Sequence, residues 1–336
     1  MIPPLAPTFE AALRDVRAQN PRFRISAAER LGEPLPERRE EAIEGLLTLA
    51  TDPVGAVREA AYEAIGELGA REALPQLLEA FGDAHLGARQ AAVLAAGRVA
   101  PNESAATIEA LLEDDRPEMR FSAIWTLSRF GNARPERLLI GLNDVDDEVR
   151  LLAVECMGEL SGEGHVEEIA ALLEDPSDPV RFAAATALAA LGDSRGASML
   201  RAALANTDRA FDAAISLGNL EDHASLGDLA TLARHRFRSP ILRAAAARAL
   251  VRLGDPLGAQ VIQKIVRSWR IEARQYAVQL VGELGLISLL PDLARALGRS
   301  SDTERPVYEA TLEQLALQST EARALLASMR QANHSA

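Results

Sequence analysis

The 336-residue chain has little of several residue types, and each scarcity excludes a class of protein. It has one cysteine, Cys156, so no disulfide can form within the chain, which is typical of a reducing compartment, and we predict a cytoplasmic protein. Aromatic residues make up only 4%, which disfavours a β-sandwich. No run of about 18 apolar residues occurs, so no membrane-spanning helix is predicted. Residues 1–7 lack a basic stretch and an apolar run, so no signal peptide is predicted.

Alanine and leucine supply most of the apolar 48% of the chain, a composition that favours tightly packed helices. The net charge is −13, and a field of that sign repels nucleic acid and anionic membranes in general. Lys264 is the only lysine, so almost all positive charge is carried by arginine.

A repeat of about 31 residues runs through the chain, as one expects of a stacked array. Each clear copy has an aspartate, then an apolar residue followed by arginine, then alanines and a leucine or glycine. The arginines step by 31, 31, 30 and 31 residues: Arg58, Arg89, Arg120, Arg150 and Arg181. Weaker copies in the same register stand at Arg24, Arg209, Arg243, Arg274 and Val307.

Each copy predicts two helices. Apolar residues from Val57 to Leu68 recur at the spacing of one helical face, and Asp52–Pro53 is predicted to cap that helix at its start. Two columns of glycine, each column being one repeat position that glycine occupies in several copies, complete the unit. One suits left-handed helix ends: Gly69, Gly131, Gly192, Gly254 and Gly285. The other lies within helices and indicates close approach of a neighbour: Gly66, Gly97, Gly158, Gly218 and Gly282.

This unit resembles the HEAT-like repeats first described in phycobilin lyase subunits, and the resemblance covers nearly the whole chain. It implies an all-α, armadillo-type fold: a right-handed α–α superhelix, or HEAT-repeat solenoid, of about ten helix pairs. We expect one domain over residues 1–336, with an opening helix at about 8–19 and a closing helix at about 320–331. The family implies a concave face, lined by second helices, that holds another protein.

No residue pattern indicates catalysis, a metal or a cofactor. The aspartate and arginine columns recur in every repeat, so we interpret them as caps and ion pairs between repeats, whereas a catalytic pair would occur once. Deoxyhypusine hydroxylases are HEAT-repeat enzymes that bind iron through His-Glu pairs, but no His-Glu dipeptide exists here. Cys156 occupies the repeat position of Ala64, which predicts a buried core cysteine.

Charge is distributed unevenly along the chain. Residues 103–178 contain 19 acidic and 6 basic side chains, whereas residues 234–274 contain ten basic and two acidic ones. Basic residues close two successive second helices about 31 residues apart, so they should lie side by side, with a tryptophan as an apolar anchor. The predicted partner-binding residues are Arg234, Arg236, Arg238, Lys264, Arg267, Trp269 and Arg270. The alternative is that these charges form an ordinary solvated surface.

These features favour a non-enzymatic scaffold or adaptor that binds another protein, one with an acidic surface. Two alternatives stay open. The basic 234–274 patch could bind nucleic acid or another polyanion, which the overall acidity opposes. A phycobilin-lyase-like chaperone or modification factor is the other, and it rests on the family resemblance alone. Trp125, within a first helix, is predicted to serve packing.

Overall fold

The computed structural model describes residues 7–33, 36–130, 135–160, 163–301 and 303–334, and these contain helices and no strand. Its contacts divide the chain into unit 1, Met1–Gly162, and unit 2, Glu163–Ala336. The described part of unit 1 contains ten α-helices: α1 Phe9–Asp15, α2 Pro21–Leu31, α3 Arg39–Leu49, α4 Gly55–Leu68, α5 Leu74–Glu79, α6 Leu86–Val99, α7 Pro101–Ala110, α8 Pro117–Arg129, α9 Pro135–Leu142 and α10 Asp147–Glu159.

Eleven α-helices lie in the residues of unit 2 that the structure describes, some preceded by a short 3-10 turn. They are α11 Val166–Ala171, α12 Asp178–Ala190, α13 Ala197–Ala203, α14 Ala210–Asn219, α15 Leu226–Arg234, α16 Pro240–Arg252, α17 Pro256–Val266, α18 Ile271–Glu283, α19 Leu290–Leu297, α20 Arg305–Ala316 and α21 Thr320–His334.

The even-numbered helices from α2 to α20 are the first helices of the repeats, and each is followed by a second helix. The predicted all-α solenoid of about ten helix pairs is therefore confirmed. Within unit 2, first helices pack on first helices, α14 on α16 and α16 on α18, while α15 packs on α17. The opening helix α1 ends at Asp15, short of residue 19, because Asn20 accepts a hydrogen bond from the Arg22 amide and starts α2.

The first helices form where the apolar pattern places them. In α4 the side chains of Val57, Ala61 and Ile65 are fully buried. The predicted cap is wrong in its position: α4 begins at Gly55, and Asp52 lies upstream, where its carboxylate accepts the Val54 amide at 2.9 Å. Asp52 therefore stabilises the turn before the helix. Its carboxylate also accepts hydrogen bonds from an arginine.

That arginine is Arg24 of the preceding repeat, and equivalent ion pairs join other neighbouring repeats. Arg58 donates from Nη1 to the Asp52 carbonyl at 2.7 Å and from Nε to the Asp83 carboxylate of the next repeat at 2.7 Å. The predicted ion pairs between repeats are thus confirmed. The same pairing of an arginine with the following repeat joins Arg24 to Asp52, Arg89 to Glu118, Arg120 to Asp144 and Arg274 to Glu304.

The glycines whose backbone or surroundings the structure describes have the predicted roles. Gly69 ends α4 with φ of 65°, a left-handed conformation that costs other residues about 1–2 kcal/mol. Gly218 lies where a Cβ would come within 2.8 Å of Ala249 on the next first helix. Gly192, Gly254 and Gly285 also have positive φ, whereas Gly131 lies outside the described residues.

Candidate partner-binding surface

The seven predicted residues lie at two successive turns that join a second helix to the next first helix in unit 2. We call them the basic surface. Arg234 is the last residue of α15, and Arg236 and Arg238 occupy the turn before α16. Lys264 lies in the last turn of α17, Arg267 caps that helix, and Trp269 and Arg270 precede α18.

The first turn exposes an aromatic ring that the sequence-based interpretation missed. Phe237 is 87% exposed, with the Arg236 guanidinium 5.9 Å from its ring centroid. Arg238 is half-buried and donates to Thr207 Oγ1 at 2.9 Å, in the equivalent turn of the preceding repeat. Equivalent turns of successive repeats are therefore neighbours here, as the repeat spacing predicts.

The second turn exposes Trp269, whose side chain is 82% accessible, with Arg270 5.6 Å from its ring centroid. Arg267 is committed to the fold, because its Nε donates to Asp292 Oδ1 at 2.8 Å and the Asp292 side chain is only 5% exposed. This hydrogen bond chiefly holds the pKa of Asp292 below its usual range.

Much of the positive charge of residues 234–274 serves the fold and not the surface. Arg243 donates to the Ala233 carbonyl at 3.0 Å and Arg252 to the Gly218 carbonyl at 3.0 Å, while Arg248 pairs with Glu283. Within the described residues, no ion pair is seen for four exposed cations of the basic surface: Arg234, Arg236, Lys264 and Arg270. Among the described residues, four of the ten cations of this stretch therefore belong to the basic surface, are exposed and have no ion pair.

Two further cations, Arg295 and Arg299 on and after α19, lie next to the second turn and were missed. Together with Trp269 and Ile271 they line a groove of about 640 Å³. The repeat could have found them, since Arg295 follows Lys264 by one repeat of 31 residues.

Trp125 in unit 1 is not simply a packing residue, because its side chain is 44% exposed. It lies with Leu94 and Glu63 along a smaller groove of about 240 Å³ formed by first helices. Partial burial, and then the neighbouring Glu59 and Glu67, raise the pKa of Glu63. Glu63 thus lies close enough to other carboxylates of α4 to be affected by their charge.

The single cysteine lies where the repeat predicts it. Cys156 is 5% exposed, and its Sγ lies 3.3 Å from Ser128 Oγ. Burial raises the pKa of this thiol, which opposes the thiolate form that nucleophilic chemistry needs. Among the described residues, no three histidine, cysteine or acidic side chains are grouped to hold a metal ion. In that same part of the chain, no helix is long and apolar enough to cross a bilayer.

Comparison with known proteins agrees with this architecture. The family model described as HEAT repeats matches residues 6–95 and 135–215. The solved structure of YibA from Escherichia coli is similar, with 18% identity and a TM-score of 0.56, over 73% of this chain and 92% of that one. The complex of CpcE and CpcF of phycocyanin lyase from Nostoc sp. PCC7120 gives 20% identity and a TM-score of 0.52, over 67% and 94%. No curated protein sequence matches the chain.

Stacked helix pairs joined by recurring arginine–carboxylate pairs define a helical-repeat solenoid. The chain belongs to the HEAT-repeat family, whose model covers more than half of it. At 18–20% identity, the likeness to the two solved structures concerns the fold.

Proposed function

We propose that this HEAT-repeat chain is a non-enzymatic interaction scaffold that holds an acidic protein on the basic surface of unit 2. One observation carries the proposal: four exposed cations, for which the described residues provide no ion pair, lie at the same two successive turns as two aromatic side chains that are 87% and 82% exposed. Exposed aromatic residues beside arginine are typical of the centres of protein interfaces, because they bury a large apolar area with little loss of entropy.

The shifted pKa values support a role other than catalysis. Asp83 and Asp292 have lowered pKa values chiefly because Arg58 and Arg267 donate hydrogen bonds to them, and these pairs hold neighbouring repeats together. Their shifts follow from the repeat and do not indicate an acid–base pair in a cleft.

A protein partner fits the charges better than nucleic acid does. The chain carries a net charge of −13, and nucleic-acid binding needs many cations that pair with phosphates. Exposed aromatic rings can also stack on bases, so nucleic acid is a distinct outcome of the test below. The likeness to phycocyanin lyase concerns the fold and adds no support for the modification-factor alternative.

The test is affinity capture from an extract of the source cells, with the full chain immobilised. The wild type is compared with the triple variant Arg236→Glu, Lys264→Glu, Arg270→Glu. Arg267 is left unchanged, because a carboxylate there would face the buried Asp292. The matched control reverses three exposed arginines of unit 1: Arg22→Glu, Arg98→Glu and Arg129→Glu.

We expect a defined acidic protein to be captured by the wild type and the control, and lost with the triple variant. Its capture should also weaken as ionic strength rises from roughly 0.1 to roughly 0.5 M, because the Debye length shortens. Equal capture by the triple variant would show that the basic surface faces solvent and does not bind the partner. Binding of a labelled DNA duplex that the triple variant loses would favour the nucleic-acid alternative.

A further inference from the structure

The groove beside Trp269 has the size and the lining of a ligand site. Its volume of about 640 Å³ lies within the range of roughly 300–1,000 Å³ found for pockets that enclose small ligands. It lies wholly within unit 2, between the turn before α18 and the C-terminal half of α19. Its apolar lining is Val266, Trp269, Ile271 and Ala296, and its cationic lining is Arg267, Arg274, Arg295 and Arg299.

Two carboxylates also line the groove, and both are already paired. Asp292 accepts hydrogen bonds from Arg267 Nε at 2.8 Å and Gln263 Nε2 at 2.7 Å. Glu304 accepts from Arg274 Nη2 at 2.6 Å. These pairs use two acids and two arginines, so they leave the groove with a surplus of positive charge.

The surplus charge lies on Arg295 and Arg299. Arg295 reaches Asp292 only at 3.3 Å and its side chain is 69% exposed, so most of its guanidinium faces solvent. Arg299 is exposed and has no ion pair within the described part of unit 2. Arginine pairs with a carboxylate through two parallel hydrogen bonds. Arg295 and Arg299 therefore favour a ligand whose carboxylates are oriented toward them.

The apolar part of the groove is open to water. Trp269 is 82% exposed and Ile271 is 50% exposed, on either side of Arg270. Covering these side chains would remove apolar area from water, which is the main source of affinity at small interfaces. A matching ligand therefore carries one apolar group between negative charges.

We propose that this groove docks an extended acidic segment of a protein, with one large apolar side chain against Trp269 and Ile271. Flanking carboxylates pair with Arg295 and Arg299. The inference rests on the proposed function and adds to it the segment that is recognised and the place where it binds. The four free cations of the basic surface then attract the rest of the acidic partner.

The test is selection from a displayed library of random dodecapeptides against the full chain, followed by titration of labelled peptides. We expect the selected peptides to be rich in aspartate and glutamate around one leucine, phenylalanine or tryptophan. The same peptide with that residue replaced by serine should bind at least tenfold more weakly. Selection of basic or uncharged peptides, or of none, would overturn the proposal.

Variants locate the site of the selected peptide. Trp269→Ala and the pair Arg295→Gln, Arg299→Gln should each weaken binding tenfold or more. Phe237→Ala is the matched control, because this ring is equally exposed but lies in the other turn, and binding should change less than twofold. Unchanged affinity of Trp269→Ala would refute the groove as the docking site.

Fluorescence gives a reading that does not depend on the variants of the groove. In Trp125→Phe the remaining tryptophan is Trp269, and its emission should shift to shorter wavelength as the peptide covers it. A labelled single-stranded oligothymidylate serves as the competing probe, and tighter binding of it than of the peptide would overturn the proposal in favour of nucleic acid. If the natural partner is lost with Arg236→Glu, Lys264→Glu, Arg270→Glu but retained by Trp269→Ala, the groove is refuted and the proposed function stands.

Discussion

Arg120 and Asp144, which belong to consecutive repeats, are joined by two hydrogen bonds between guanidinium and carboxylate, of 2.6 and 2.7 Å. Their side chains are only 12% and 6% exposed. Arg120 also donates to the Asp114 carbonyl of its own repeat at 2.7 Å. One side chain thus fixes the turn of its own repeat and the start of the next.

The first prediction is a loss of stability, and its magnitude follows from the burial of Arg120 and Asp144. From the sequence, loss of Arg120 is expected to cost about 0–1 kcal/mol, as for a partly exposed pair. Because the structure buries both side chains, we expect Arg120→Ala to lower the free energy of unfolding by about 3 kcal/mol, the low end for a broken buried pair. Chemical denaturation measures this change.

The control for Arg120→Ala is Arg98→Ala, an exposed arginine, which should change stability by less than about 0.5 kcal/mol. The double variant Arg120→Ala, Asp144→Ala should lose less than the two single variants added together. Additive losses would mean that the two residues stabilise the fold independently.

The second prediction concerns Glu63 and Glu155, whose pKa values are raised, first by burial and then by neighbouring glutamates. A raised pKa means that the ionised carboxylate destabilises the folded chain, and protonation relieves this as pH falls through the folded pKa. Glu63→Gln and Glu155→Gln should therefore raise Tm at pH 7. The gain should stay below about 1 kcal/mol, since solvent screens both side chains.

The gain should shrink as the pH approaches about 4, where the wild-type carboxylates become protonated. Asp83 should behave in the opposite way, because Arg58 lowers its pKa and the stability it provides is lost only on acidification below about 4. Thermal melts of the wild type and of each variant between about pH 2 and about pH 7 measure both trends. A gain from Glu63→Gln that did not depend on pH would exclude an electrostatic cause.

The third prediction compares two glycines of unit 2. A methyl group at Gly218 would come within 2.8 Å of Ala249, so Gly218→Ala should destabilise the chain by about 1–3 kcal/mol. Gly227 lies in α15 with nothing within 4 Å of the added atom, so Gly227→Ala should be stabilising by about 0.5–1 kcal/mol. Equal effects of the two substitutions would contradict the close approach of α14 and α16.

The repeat can be recognised from short stretches of the sequence, and it predicts most of the fold. The spacing of Arg58 and Arg89 identifies the helix pairs and their register, and it predicts that arginines form ion pairs between repeats. The sequence cannot show which partner each arginine finds. Arg267 and Arg270 look equivalent in the sequence, yet one is held by the buried Asp292 and the other is free.

The exposed aromatic residues show the same limit. Phe237 lies in a turn and Trp125 occupies the repeat position of Glu63, so neither falls on the apolar face of the repeat. Only the packing of neighbouring helices decides that one is 87% and the other 44% exposed. Arg295 could have been found from the repeat, because it follows Lys264 by 31 residues. The groove itself depends on the distance between a turn and α19, which no local pattern contains.

The central claim is that unit 2 holds an acidic protein at the basic surface. Site-specific photo-crosslinking tests this claim most directly. The photoreactive amino acid p-benzoylphenylalanine replaces Trp269, Phe237 or, as the control in unit 1, Trp125, and the chain is irradiated in an extract of the source cells. The account predicts that Trp269→p-benzoylphenylalanine and Phe237→p-benzoylphenylalanine become joined to the same acidic protein. That product should disappear when Arg236→Glu, Lys264→Glu and Arg270→Glu are added. A partner joined only through position 125, or a product that survives the charge reversal, would contradict it.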